Sequence, residues 1–127
     1  MLIRSCTLVF IGLMLAICSS SSLAQWRWMH GATVAEFQDS DWQLLQAAAM
    51  TALDQNDDGQ RSNWHNPETG NRGAVRPLST FQHQQRSCRR VAFLNVSESG
   101  RRGQGTYSLC RASSGAWGFV SEAELER

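Results

Sequence analysis

Between residues 42 and 53 the apolar side chains recur at helical spacing, with Trp42, Leu45, Ala49 and Ala52 or Leu53 on one face. Gln46-Ala47-Ala48-Ala49-Met50 adds a run of strong helix formers, and Ser40 with Gln43 fits a capping box at the start. Asp54-Gln55-Asn56-Asp57-Asp58-Gly59 stops the helix with a cluster of loop formers. After Gly59 the pattern becomes that of short strands separated by turns. Residues 62–66 form a strand around Trp64, Pro67-Glu68-Thr69-Gly70 a turn, and Gly73 to Val75 the start of a return strand. Pro77 interrupts that strand, which reads as an edge because proline cannot donate to a ladder. A long strand runs from about residue 81 to 96 and ends at Ser97-Glu98-Ser99-Gly100. Residues 104–111 form the next strand, Ser113-Ser114-Gly115 a turn and residues 116–121 the last strand, while 122–127 read as a frayed acidic tail. The pattern predicts an α+β domain over residues 36–121, one N-terminal helix packed on a four- to five-stranded antiparallel β-meander.

The beginning of the chain has a different character. One positive charge at Arg4, an apolar run of 13 residues from Cys6 to Cys18, and small residues at Ser22 and Ala24 are the parts of a secretory signal over residues 1–24. As a helix that run reaches only about 20 Å, short of the roughly 30 Å of a bilayer core, so the mature chain is expected to have no transmembrane span. Cleavage between Ala24 and Gln25 leaves 103 residues of the 127. Lipidation at Cys18 is the alternative, disfavoured by the bulk of Ile17 just before it. Residues 25–35 carry Trp26 and Trp28 without a period and read as an irregular arm whose tryptophans dock on the domain.

Removal of the signal leaves Cys88 and Cys110 as the cysteine pair, and an oxidising compartment makes a disulfide the expected state. Closing a loop of that size contributes roughly 3 kcal/mol in the chain-entropy model. Placing Cys88 opposite Cys110 centres the hairpin turn on Ser99, inside the Glu-Ser-Gly cluster. In this register Val91 faces Tyr107, Phe93 faces Gly105 and Arg89 faces Leu109 on one mainly apolar side. Cys88, Arg90 and Ala92 then face Cys110, Ser108 and Thr106 on the more polar side.

Charge divides the chain. All 12 basic residues are arginine. Residues 25–69 hold two arginines against seven carboxylates, whereas residues 70–111 hold eight arginines against Glu98 alone. Arginine presents a planar fork suited to carboxylate and phosphate. The arginines therefore either pair with the acidic helix segment or form an anion-binding sheet face for an envelope polysaccharide, a lipid headgroup or an acidic envelope protein. Nucleic acid fits poorly with an exported chain of near-neutral balance and no basic helix.

Candidate chemistry is sparse. Asp54, Asn56, Asp58 and Gly59 match the opening of a calcium loop, but His65 stands where the bidentate carboxylate belongs, so no metal or other cofactor is expected. His30, His65 and His83 lie in no metal-binding frame, and no nucleophile elbow surrounds any serine. The chain reads as non-catalytic. The alternative is a small periplasmic hydrolase around His65 or His83, which requires a serine or carboxylate within hydrogen-bond reach of the imidazole.

The spacing Trp64-x-Asn66-Pro67-x-Thr69-Gly70-x-x-Gly73-x-Val75-x-Pro77, followed by Cys88-Arg89, Gly105, Cys110-Arg111 and Gly115-x-Trp117, resembles the C-terminal domain of the proteobacterial outer-membrane surface antigens. These are relatives of the rickettsial seventeen-kilodalton common antigen, and the resemblance runs from about Leu44 to Val120. It implies a non-catalytic envelope protein of a Gram-negative bacterium, with no catalytic residues to carry over. Many members bear a lipoprotein cysteine and a glycine-rich segment ahead of this domain. Here Ile17 spoils the former and residues 25–35 do not supply the latter, so a soluble periplasmic form is expected, with an outer-membrane lipoprotein as the alternative. The residues singled out for partner binding are Trp64, Arg89, Arg90 and Trp117.

Overall fold

The computed structural model describes residues 34–127. The signal, the cleavage site at Ala24 and Gln25, Cys18 and residues 25–33 of the arm lie outside the described residues. Val34–Glu36 forms a single 3-10 turn that leads into helix α1, Asp39–Gln55. Five strands follow in simple meander order: β1 Ser62–His65, β2 Arg72–His83, β3 Arg86–Val96, β4 Arg102–Arg111 and β5 Trp117–Val120, each antiparallel to the next. A short helix α2, Glu122–Leu125, ends the chain. The α+β class with a helix on an antiparallel sheet is therefore what the pattern predicted, with five strands.

The helix buries the face read from its spacing. Trp42, Leu45, Ala49, Ala52 and Leu53 are all in the core. They pack on the inner side of the sheet, on Trp64, Val75, Val91, Phe93 and Leu109. The β3–β4 register is also as expected: Cys88 faces Cys110, Arg89 faces Leu109, Val91 faces Tyr107 and Phe93 faces Gly105. Cys88 and Cys110 are joined by a disulfide on the opposite, outer side.

Four local readings change. Residues 81–96 are not one strand. Gln84 and Gln85 adopt φ of 50° and 64°, and the chain reverses there between β2 and β3. A two-residue turn of this kind normally carries glycine or asparagine, so two glutamines give no sequence signal for it. Pro77 does not end a strand, because β2 continues through it, paired with Val91 of β3. On its other side β1 has already stopped, at the Ser62 to Val75 pair, so the missing N–H breaks no ladder bond there, and a bulge at Pro77/Ser79 absorbs the irregularity.

The helix start is shifted too. Asp41, not Gln43, closes the first turn by accepting the Gln38 backbone N–H at 2.8 Å. The last residues are helical because Ser121 and Glu124 form a reciprocal cap, Glu124 N–H to Ser121 Oγ at 3.2 Å and Ser121 N–H to Glu124 Oε2 at 3.1 Å.

Candidate functional site

The residues that carry the sequence resemblance fall at the two ends of α1. At its N-terminal end Asp41 is buried and accepts four hydrogen bonds. Oδ1 takes Asn66 Nδ2 at 2.8 Å and Thr69 Oγ1 at 2.6 Å, while Oδ2 takes Asn71 Nδ2 at 3.0 Å and the Gln38 N–H at 2.8 Å. Asn66 and Thr69 belong to the Asn-Pro-x-Thr-Gly turn, so that turn clasps the helix. Asn71 Oδ1 accepts the Glu98 N–H at 3.0 Å and ties the β1–β2 turn to the β3–β4 turn. Burial of Asp41 pushes its carboxyl up, but the donations from Thr69, Gln38, Asn71 and Asn66 together outweigh that and hold it below the ordinary aspartate value. Next to the turn, Trp64 lies across Gly73, its partner on β2. A Cβ at Gly73 would collide with Trp64 Nε1 and the Leu94 carbonyl, which explains the glycine there.

At the C-terminal end of α1 the two Cys-Arg pairs do the corresponding work. Arg89 is buried, and its Nη1 donates to the Ala52 and Leu53 carbonyls, each at 3.0 Å. Its Nε donates to Thr80 Oγ1 at 3.0 Å and its Nη2 to Asp58 Oδ1 at 2.8 Å. Arg89 thus satisfies the Leu53 carbonyl of the last helical turn and is a second donor to the Ala52 carbonyl, which also accepts the Asn56 N–H. The hydrogen bond from Arg89, helped by Thr80, holds the Asp58 carboxyl below its ordinary value. Arg111 pairs with Asp54, which also accepts Trp117 Nε1 at 2.8 Å, and the Arg111 guanidinium lies 4.8 Å from the Trp117 ring centre. Asp54 and Asp58, the acids of the calcium-like stretch, are therefore partners of arginines. No cluster of three metal-ligating side chains occurs among the described residues.

Of the residues singled out for binding, Trp64, Arg89 and Trp117 are buried within these clasps. Arg90 is half-buried, and it is paired with Glu122 of α2 at 2.8 Å. Neither His65 nor His83 meets a serine or carboxylate among the described residues.

The sequence reading offered an anion-binding sheet face as one of two alternatives without naming its residues, and the sheet face away from α1 is where exposed arginines gather. The register brings Arg72, Ala74 and Arg76 of β2, Ala92, Leu94 and Val96 of β3, and Arg102, Gln104 and Thr106 of β4 to that side. Arg61, just before β1, reaches the same surface and lines two adjoining grooves of about 380 and 510 Å³. Arg61, Arg72, Arg76 and Arg102 surround an apolar floor of Ala74, Leu94 and Val96, and neither groove is lined by a carboxylate. All four arginines are exposed, and none pairs with an acid among the described residues. The signal for this face was the parity of the strands: once Cys88 opposes Cys110, every second residue of β3 and β4 is assigned to it.

Compared with known proteins, residues 51–118 match the family described as 17 kDa outer membrane surface antigen. The chain is 31% identical over 84 residues to the 17 kDa surface antigen of Rickettsia prowazekii (strain Madrid E), an alignment that covers 65% of this chain and 52% of that protein. The chain thus spans about half the length of this curated relative. No solved structure matches it. The matched stretch contains the Asn-Pro-x-Thr-Gly clasp, both Cys-Arg pairs and Trp117, and with it the chain belongs to the 17 kDa outer membrane surface antigen family.

Proposed function

We propose that this chain is an exported, non-catalytic envelope protein that binds an anionic envelope component through the face of its sheet turned away from α1. Family membership points to an envelope protein without catalytic activity. Export by residues 1–24 suits the disulfide between Cys88 and Cys110, which persists in an oxidising compartment such as the periplasm. No helix of the described residues is long and apolar enough to cross a membrane.

The observation that carries the binding reading is the set of four exposed arginines, Arg61, Arg72, Arg76 and Arg102, gathered on one face with no carboxylate among them. Elsewhere Arg89, Arg90, Arg101 and Arg111 each reach an acid. A cluster of like charges raises the local potential and attracts a polyanion in a salt-dependent way. The test is binding of a soluble polyanion, dextran sulfate, to the wild type and to the quadruple variant Arg61→Gln, Arg72→Gln, Arg76→Gln, Arg102→Gln. Salt-sensitive binding that disappears in the variant supports the reading. Equal binding by both proteins, or by neither, refutes it.

A further inference from the structure

We infer that this face docks on a phosphate-bearing lipid surface, with the four arginines on headgroup phosphates and half-buried Leu94 between them. The inference rests on the anion-binding reading above and narrows it to one occupant. Three features select a lipid surface among anionic partners.

The first is the donor set. Guanidinium forks match phosphate oxygens in a bidentate way, and the grooves between them offer no acid that would repel a phosphate. Glu68 and Glu98 sit in the turns at the end of the sheet and pair with none of the four.

The second is the floor. Between the charges Ala74 and Val96 are buried at 8% and 5% exposure and Leu94 is half-buried, so the arginines and not the floor make the contact. A sugar chain wants an exposed aromatic ring to stack on, yet the nearest rings, Trp64 and Phe93, are buried at 6% and 2% exposure. A stable protein interface centres on aromatic or arginine anchors seated in deep pockets, and these grooves are open. Exposed guanidinium groups over a closed floor suit the headgroup layer of an anionic membrane.

The third is distribution. The arginines come from the loop before β1, from two positions of β2 and from β4, so they are spread across the sheet and do not converge on a point. A spread of single charges complements a plane of many phosphates better than it complements one ligand. Near an anionic membrane each such arginine raises partitioning about five-fold, so four act together at on the order of several hundred-fold.

The test is co-sedimentation of the purified chain with vesicles of phosphatidylcholine containing a quarter phosphatidylglycerol, and with vesicles of phosphatidylcholine alone. We expect partitioning onto the anionic vesicles, weakened by salt, and none onto the neutral ones. Arg72→Gln with Arg102→Gln should lower it by about 25-fold. Arg127→Gln, a charge change at the far end of the chain, should leave it within about two-fold, and circular dichroism shows that all variants remain folded. Equal binding to neutral vesicles, or a double variant that binds as well as the wild type, overturns the lipid assignment. Binding to dextran sulfate with no binding to anionic vesicles also overturns it, while leaving the anion-binding reading intact. Failure with both probes overturns both.

Discussion

On the helix side of the sheet Arg89 ends on two helix carbonyls, a hydroxyl and Asp58. On the other side Arg61, Arg72, Arg76 and Arg102 reach no carboxylate among the described residues. The same side chain is an internal brace on one face and an open donor on the other; strand parity sets Arg89 apart from these four, while Arg90, on the outer side, is taken up by Glu122. The residues that carry the family resemblance belong almost entirely to the first group. Asn66, Thr69 and Gly73 build the clasp at one end of α1, and Arg89, Arg111 and Trp117 build the clasp at the other. The resemblance therefore describes how the domain is held together. Arg72, Arg76 and Arg102 lie outside its spacing pattern, so the chemistry of the open face has to be read from this chain itself.

The contrast is broken most severely by removing the buried acid. Asp41→Ala leaves the buried Asn71 amide and the Thr69 hydroxyl without their acceptor and Asn66 with Ser40 Oγ alone, a loss of about 3–4 kcal/mol, visible as a fall of roughly 15 °C or more in Tm. The same residue sets a pH window. Hydrogen bonding holds its carboxyl below the ordinary aspartate value of about 3.9, so the folded state releases that proton more readily than the unfolded chain. The stability it contributes is complete above about pH 5 and drains away as pH falls through the lowered folded value. A urea titration of the wild type from pH 6 to pH 3 should show that loss, and Asp41→Asn, which keeps the shape but not the charge, should flatten its share of it.

A smaller effect is expected at the other clasp. Arg89→Met keeps the buried stem but removes the donors to the Ala52 and Leu53 carbonyls, costing about 2 kcal/mol or near 10 °C in Tm. Exposed Asp58 simply returns to water, so its lost ion pair adds little. A variant as stable as the wild type would show that the helix end does not depend on this arginine.

Which parts of this were legible in the sequence follows from the range of each interaction. The helix face and the β3–β4 register were, because periodicity and a cysteine pair constrain them locally. The Gln84-Gln85 turn was not, since its positive φ angles are imposed by the flanking strands on residues with no preference for them. Asp54 and Asp58 looked like half of a calcium loop because their arginine partners lie far along the chain, on β3 and β4. Arg89 is the instructive case. The register already put it beside Val91 and Leu109 on the apolar face, which marks a buried brace, yet as a charge it was grouped with Arg90 among contact residues. The open face was visible as one of two readings of a basic stretch, and its four arginines could be separated from the paired ones only once the clasps were known.

The smallest expected stability change belongs to the open face and tests the central claim most directly. Thermal unfolding of the quadruple variant Arg61→Gln, Arg72→Gln, Arg76→Gln, Arg102→Gln should give a stability within about 1 kcal/mol of the wild type, since exposed substitutions away from packed features change little. A fall as large as that of Arg89→Met would mean these arginines brace the fold as the inner ones do, and would contradict the division of the sheet into a structural face and an open one.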